Sequence, residues 1–244
     1  MPATICLIIP CYNEADRLDF DALAHLPAGV TCLLVDDGSR DGTAALIRQR
    51  TSDTVHLLEL QPNVGKAEAI RRGVLHAKAA GLLDHATWVG YWDADLATPL
   101  EELPYFLAYA DTLEGQVDGI LGSRVYKLGS TIKRSLRRHL FGRVFATMAA
   151  TILDLECYDS QCGAKLFRCS LVEQAFGAPF LTRWIFDVEI LLRLRDYRLI
   201  ECPVRRWTDV PGSKLTFLRA AWTTAFDLFR IRRHYGKTAL QRRA

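Results

Sequence analysis

The stretch TWVGYWDAD, residues 87–95, decides how the chain is read. The apolar run WVGYW climbs without interruption and ends on Asp93 and Asp95, one residue apart. A short apolar run of this kind, bounded by polar residues, has the form of a strand buried on both faces. Two carboxylates so close repel each other unless a cation lies between them. In an extended segment, residues i and i+2 point the same way about 6–7 Å apart, so a small turn lets both reach one divalent ion. Hard oxygen ligands suit Mg²⁺ or Mn²⁺, which keep positions open for diphosphate oxygens and water. Asp95 can instead cap a helix before Thr98-Pro99; Asp93, straight after WVGYW, has no such alternative.

Upstream of this stretch the pattern alternates. TICLIIP (4–10), VTCLLVDD (30–37) and VHLLEL (55–60) read as strands, and LDFDALAHL (18–26), TAALIRQR (43–50) and the segment from Lys66 read as helices. Near-continuous apolar strands separated by helices predict a parallel sheet with right-handed crossovers, a Rossmann-like α/β half. Ligands of such sheets sit beyond the carboxyl ends of the strands. The unusual polar residues fall at those ends: Tyr12, Asn13 and Glu14; Asp36, Asp37, Gly38 and Ser39; Asn63, Gly65 and Lys66; Asp93 and Asp95. Solubility alone does not account for four successive strand ends of this kind.

Two of these clusters carry a chemical reading. In VDDGSRDGT (35–43), Ser39 or Asp41 can cap the helix near Thr43, while Asp36 and Asp37 sit where a carboxylate accepts from a nucleobase N–H or a ribose hydroxyl. In NVGKAEAIRRG (63–73), Lys66 stands at a helix N-terminus, an anion-favouring position, with Ala67, Ile70, Val74 and Ala77 on the buried face. The spacing of a P-loop is absent, so NTPase chemistry of that type is excluded.

Beyond about residue 117 the character changes. VDGILGSR (117–124) reads as a strand ending in a Gly-Ser-Arg turn, WIFDVEILLRLRDY (184–197) as a helix and ECPVRRW (201–207) as a short strand. Segments 132–153 and 215–233 have amphipathic helical spacing and carry clustered Arg and Lys beside Leu, Phe and Trp. Such helices fit either a protein core or a membrane interface.

Bulk properties agree with a folded domain: 244 residues, half of them hydrophobic, with a formal charge of +3. The basic clusters around residues 133–143 and 230–243 suit an anionic partner such as phosphate. Seven cysteines without a C-x-x-C pair predict reduced thiols rather than a zinc site. MPATICLIIP lacks the form of a signal peptide, and no run reaches the roughly 18 apolar residues of a spanning helix. The expectation is a cytoplasmic protein, peripheral at the membrane face, with no transmembrane segment.

The set PCYNEAD, VDDGSRDGT, NVGKAEAIRRG and DADLATP resembles the GT-A glycosyltransferases of family 2. GSR, DSQCGAKLF, RWIFDVEIL, ECPV and GSK then follow in the order of dolichyl-phosphate β-glucosyltransferases and related polyprenyl-phosphate sugar transferases, so the likeness covers nearly the whole chain. It implies one GT-A domain over 1–244, with a nucleotide-sugar half (1–116) and an acceptor half (117–244). The implied reaction is inverting transfer of a hexose to a polyprenyl phosphate. It further implies donor contacts from Pro10, Tyr12, Asn13, Glu14, Asp36, Asp37, Gly38, Lys66, Asp93 and Lys214, and Mg²⁺ or Mn²⁺ on Asp93 and Asp95. Nucleic acid is not an implied partner. Dolichyl-phosphate mannose synthases often carry a Gln two residues after the second Asp; here that position is Ala97, which favours the glucosyl branch and UDP-glucose.

Arg124 is the candidate clamp for an acceptor phosphate, because guanidinium matches phosphate bidentately. Gln161 and Lys165 are candidates for orienting sugar or phosphate. Asp187 and Glu189 would supply a base if the acceptor were a sugar hydroxyl. Their spacing of two puts them on different sides of a helix, so one should face the site and the other pair with Arg183 or Arg193. Transfer to a soluble hydroxyl acceptor, and a non-catalytic nucleotide-sugar binding protein, are the alternatives.

Overall fold

A computed structural model describes residues 4–133, 136–209 and 226–236, with the backbone alone for 136–143. Seven strands form one sheet in the order β3-β2-β1-β4-β7-β5-β8. They are β1 (Ile5–Cys11), β2 (Val30–Asp36), β3 (Val55–Glu59), β4 (Trp88–Trp92), β5 (Gly119–Ser123), β7 (Ala164–Arg168) and β8 (Leu199–Pro203). β3, β2, β1 and β4 pair in parallel, as do β5 and β8. The interior strand β7 runs antiparallel to both β4 and β5. Two short strands, β6 (Thr131–Lys133) and β9 (Arg206–Thr208), pair apart from this sheet.

Helices cover both faces, as buried apolar strands require. On one face α1 (Phe20–Ala24), α2 (Thr43–Arg48) and α4 (Glu102–Asp111) contribute Leu23, Ile47, Leu103 and Phe106 to a core with Trp88 and Trp92. On the other, α3 (Lys66–Ala79), α6 (Val172–Phe176) and α7 (Phe186–Arg193) pack over Tyr91 and Phe167. The expected inner face of α3 holds: Ala67, Ile70, Val74 and Ala77 are all buried. A third cluster joins α5 (Leu136–Leu153), α7 and the helix at 226–236, here α8, through Ala149, Leu153, Val188, Leu192, Leu228 and Ile231.

The structure departs from the sequence reading in several places. β7 and α4 were not among the expected elements, the helix of 184–197 is confined to Phe186–Arg193, and ECPVRRW divides between β8 and β9. Of the segment 215–233, only the part from 226 onward lies within the described residues, and Lys214 lies outside them. All seven cysteines are free, and burial pushes Cys6 and Cys202 up to about 12.

The pairing of β4 with β7 leaves no room for a side chain at Gly90, where a β-carbon would lie 2.0 Å from the Lys165 carbonyl oxygen. Gly90→Ala is therefore expected to lower stability by about 2 kcal/mol or more, read from urea unfolding. An unchanged midpoint would contradict this strand order.

Candidate active site

The polar strand ends converge as the sequence led us to expect, but they divide into groups that build the cleft and groups that face it. Asn13, in a left-handed conformation at φ 53°, accepts from the Arg40 N–H through Oδ1, and its own N–H donates to Ser39 Oγ, both at 2.9 Å. The Glu14 N–H donates to Thr43 Oγ1, while its carboxylate pairs with Arg17. Asp41 accepts from the Ala15 and Thr43 N–H groups, so the cap of α2 also binds the loop after β1. Pro10 lies inside β1 opposite Val35, and the Tyr12 ring is exposed.

Asp36 and Asp37, both buried, have different uses. Asp37 is spent on the protein: Oδ1 accepts from Val64 N–H, and Oδ2 from Gly65 N–H and Asn63 Nδ2, at 2.7–2.8 Å. Its expected contact with a nucleotide gives way to holding the 63–65 turn ahead of α3. Gly38 belongs to the same lock, with φ 72° and a β-carbon position 3.0 Å from Asn63 N. Asp36 binds Ser39 N–H through Oδ2 at 3.1 Å, but its Oδ1 is buried without a partner among the described residues. A buried unpaired acceptor costs about 1–3 kcal/mol, so this oxygen is poised for a ligand N–H or O–H.

Asp93 lies at the end of β4, its N–H donating to the Gly163 carbonyl at 2.9 Å and its Oδ1 accepting from Lys66 Nζ at 2.6 Å. Gly163 faces the carboxylate so closely that a β-carbon there would lie 1.9 Å from Asp93 Oδ2. Asp95 Oδ1 accepts from Ala97 N–H at 3.1 Å. Burial and the neighbouring Asp93 charge push the Asp95 carboxyl up. Burial disfavours the Lys66 ammonium, but Asp93, Asp187 and Asp95 outweigh it and raise the group above its ordinary value.

These groups fit a hard divalent cation bound together with a ligand that completes its shell. Lys66 already sets a positive charge against Asp93, and a second cation would favour the Asp95 carboxylate that burial and Asp93 disfavour. Among the described residues no three His, Cys, Asp or Glu side chains gather at one point, so the remaining ligands would be diphosphate oxygens and water.

The acceptor side departs from several expectations. Arg124 does not stand open for a phosphate: Nε and Nη2 grip the Asp159 carboxylate bidentately, each at 2.7 Å, and the Arg124 N–H adds a third bond at 3.0 Å. Glu201 holds the same loop by accepting from the Tyr158 and Asp159 N–H groups. Glu189 is fully buried and accepts from the N–H groups of Leu181 and Thr182 and from Thr182 Oγ1, so it is placed as a loop anchor rather than a base, and among the described residues no arginine pairs with it. Arg183 instead reaches Asn63, and Arg193 donates to backbone carbonyls and to Tyr235.

Asp187 is buried too, accepting from Lys165 Nζ and from the Tyr91 hydroxyl, each at 2.5 Å. Lys165 is wholly buried, its ammonium turned to Asp187 and the Cys162 carbonyl. Gln161 Nε2 and Ser160 Oγ, by contrast, are buried without partners among the described residues. The exposed Trp184 ring stands 5.8 Å from Lys66 Nζ.

Sequence reasoning did not single out Asp159, Gly163 or Tyr91. Asp159 and Gly163 stand in DSQCGAKLF, but their roles arise from pairings with Arg124 and Asp93 that no local spacing announces.

The sequence model of glycosyl transferase family 2 matches residues 6–176. The chain belongs to that family. Relatives of this family 2 glycosyltransferase include proteins named dolichyl-phosphate β-glucosyltransferase. That of Dictyostelium discoideum is 31% identical over 95% of this chain and 74% of its own length. That of Drosophila melanogaster is 32% identical over 93% and 74%, and the human one 30% over 95% and 75%. Among solved structures, glucosyl-3-phosphoglycerate synthase of Mycobacterium tuberculosis, in complex with Mn²⁺, UDP and glucosyl-3-phosphoglycerate, superposes with a TM-score of 0.64. It is 15% identical, covering 96% of this chain and 80% of that one, which bears out the GT-A fold.

The Arg124–Asp159 pair has a measurable acid signature. Burial alone would raise Asp159, but the Arg124 charge and hydrogen bonds outweigh it and lower the carboxyl from 3.8 to about 2. A depressed folded-state value stabilises above the unfolded value and is lost as pH falls toward the folded one. The stability advantage of the wild type over Asp159→Asn should therefore shrink between roughly pH 5 and pH 3, by on the order of 1 kcal/mol in urea unfolding. A constant difference across that range would contradict the pairing.

Proposed function

We propose that this glycosyltransferase moves glucose from UDP-glucose, with inversion, to a polyprenyl phosphate of the dolichyl type. The observation that carries the acceptor class is the state of the two candidate bases. Asp187 and Glu189 are both buried and committed to protein partners. A hydroxyl acceptor needs its proton removed, whereas a phosphate oxygen is already ionised at neutral pH and needs only to be placed. The names of the relatives, dolichyl-phosphate β-glucosyltransferases, support the same reading.

In this account Asp36 Oδ1 receives a donor of the nucleoside, and the N-terminus of α3 with Lys66 receives the diphosphate. Asp93 and Asp95 would hold Mg²⁺ or Mn²⁺, which when bound neutralises charge on the leaving diphosphate. The Mn²⁺ and UDP named with the Mycobacterium tuberculosis structure support this choice. Arg124 and Asp159 fix the loop that presents Gln161 and Ser160, whose unpaired polar atoms are available to sugar hydroxyls.

The lipid acceptor places the enzyme at a membrane surface. Among the described residues no helix is long and apolar enough to cross one. α5 and α8 pack on a common cluster, and their outer surfaces expose Val144, Phe226 and Phe229, with Arg230, Arg232 and Arg233 exposed on α8. Apolar side chains beside basic ones suit an interface with anionic headgroups.

Incubation with radiolabelled nucleotide sugars, polyprenyl phosphate and Mn²⁺ should carry label from UDP-glucose into the organic phase, and EDTA should stop it. Label passing instead to a water-soluble sugar would overturn the acceptor assignment. For the membrane surface, Phe226→Ser/Phe229→Ser should weaken sedimentation with anionic phospholipid vesicles, and added salt should weaken it in the wild type. Equal binding by the double variant would show that α8 is not the contact.

A further inference from the structure

Directly beneath the carboxylate pair, the core contains charge. Lys165 lies in the interior strand β7 with its side chain fully buried, and Asp187 is nearly so. Lys165 Nζ donates to Asp187 Oδ1 and to the Cys162 carbonyl, both at 2.5 Å, and stands 5.4 Å from the centre of the Tyr91 ring. The Tyr91 hydroxyl donates to the same Asp187 oxygen. Three chain segments thus meet at one point: β4 through Tyr91, the first turn of α7 through Asp187, and the turn entering β7 through Cys162.

A buried ion pair is a poor way to gain stability, because desolvation offsets the attraction and apolar replacements of similar volume often serve as well. Its position gives it another use. The Cys162 carbonyl held by Lys165 precedes Gly163, whose carbonyl binds the Asp93 N–H and whose bare α-carbon forms the wall against the Asp93 carboxylate. Movement of the 162–163 turn would move that wall and the hydrogen bond together.

We propose that Lys165, Asp187 and Tyr91 act as positioning residues that fix the Cys162–Gly163 turn, and through it the Asp93 carboxylate that receives the divalent cation. The proposal rests on the metal-dependent transfer argued above. It gives Asp187 a role distinct from the base expected of it: its charge holds Lys165, and Lys165 holds the turn.

The test separates positioning from packing. In Lys165→Met/Asp187→Leu/Tyr91→Phe both buried charges and the Tyr91 hydroxyl are removed together, so no buried charge is left uncompensated; the Cys162 carbonyl alone loses its donor, and the urea midpoint should fall only modestly. Mn²⁺ affinity in the presence of UDP, read from the electron paramagnetic resonance signal of free Mn²⁺, should nonetheless fall about tenfold, as for other residues that orient metal ligands. Without metal, the Asp93 amide should exchange its hydrogen faster than in the wild type. A folded triple variant with wild-type Mn²⁺ affinity and wild-type exchange at Asp93 overturns the proposal. Should that variant not fold, Asp187→Asn decides: it keeps the acceptor oxygen but removes the charge, and wild-type values for both readouts overturn the proposal equally. A wild-type protein that binds no Mn²⁺ with UDP sinks this inference and the functional reading together. Normal wild-type binding matched by the variants sinks this inference alone.

Discussion

The site depends on a close approach between Gly163 and Asp93, in which a hydrogen bond of 2.9 Å and the absence of a β-carbon seat a carboxylate against the backbone of the neighbouring segment. That contact exists because β7 enters the sheet antiparallel between β4 and β5. A parallel strand would place the 159–163 loop at the opposite end of the sheet. Running the other way, β7 starts where β4 and β5 end, and so brings Asp159 to Arg124 and Gly163 to Asp93, on the loop that also carries Gln161.

Around that seat the charges are arranged in pairs of unequal availability. Arg124–Asp159 and Lys165–Asp187 are closed pairs, shielded from solvent and satisfied by further hydrogen bonds. Lys66–Asp93 is the open one, with both side chains partly exposed and Asp95 beside it. An incoming diphosphate with its cation would give both members better partners: Lys66 the phosphate oxygens, Asp93 the metal. Closed pairs build the scaffold, and in the proposed function the open pair receives the ligand, so that a strongly charged region keeps a defined shape before anything binds.

Much of this was legible in the sequence wherever the signal was local. Period and composition located β1 to β4 and the inner face of α3, and the polar residues after these strands do lie at one edge of the sheet. β7 escaped notice because Lys165 breaks its apolar run, and the partners that make a buried lysine tolerable come from α7 and the turn at Cys162. The same limit explains Arg124, Asp37 and Glu189. Residue type suggested a ligand contact for each, whereas the decisive partner, Asp159, the 63–65 turn or the 181–182 turn, is set by tertiary packing.

The central claim is that Asp93 and Asp95 together receive a divalent cation with the donor diphosphate. Anomalous diffraction at the manganese edge, from crystals grown with Mn²⁺ and UDP, tests it most directly. The account predicts one strong peak within coordinating distance, about 2.0–2.3 Å, of carboxylate oxygens from both residues and of diphosphate oxygens, with Lys66 turned from Asp93 toward the phosphates. A nucleotide bound in the cleft without a peak there, and with Lys66 still on Asp93, would contradict it.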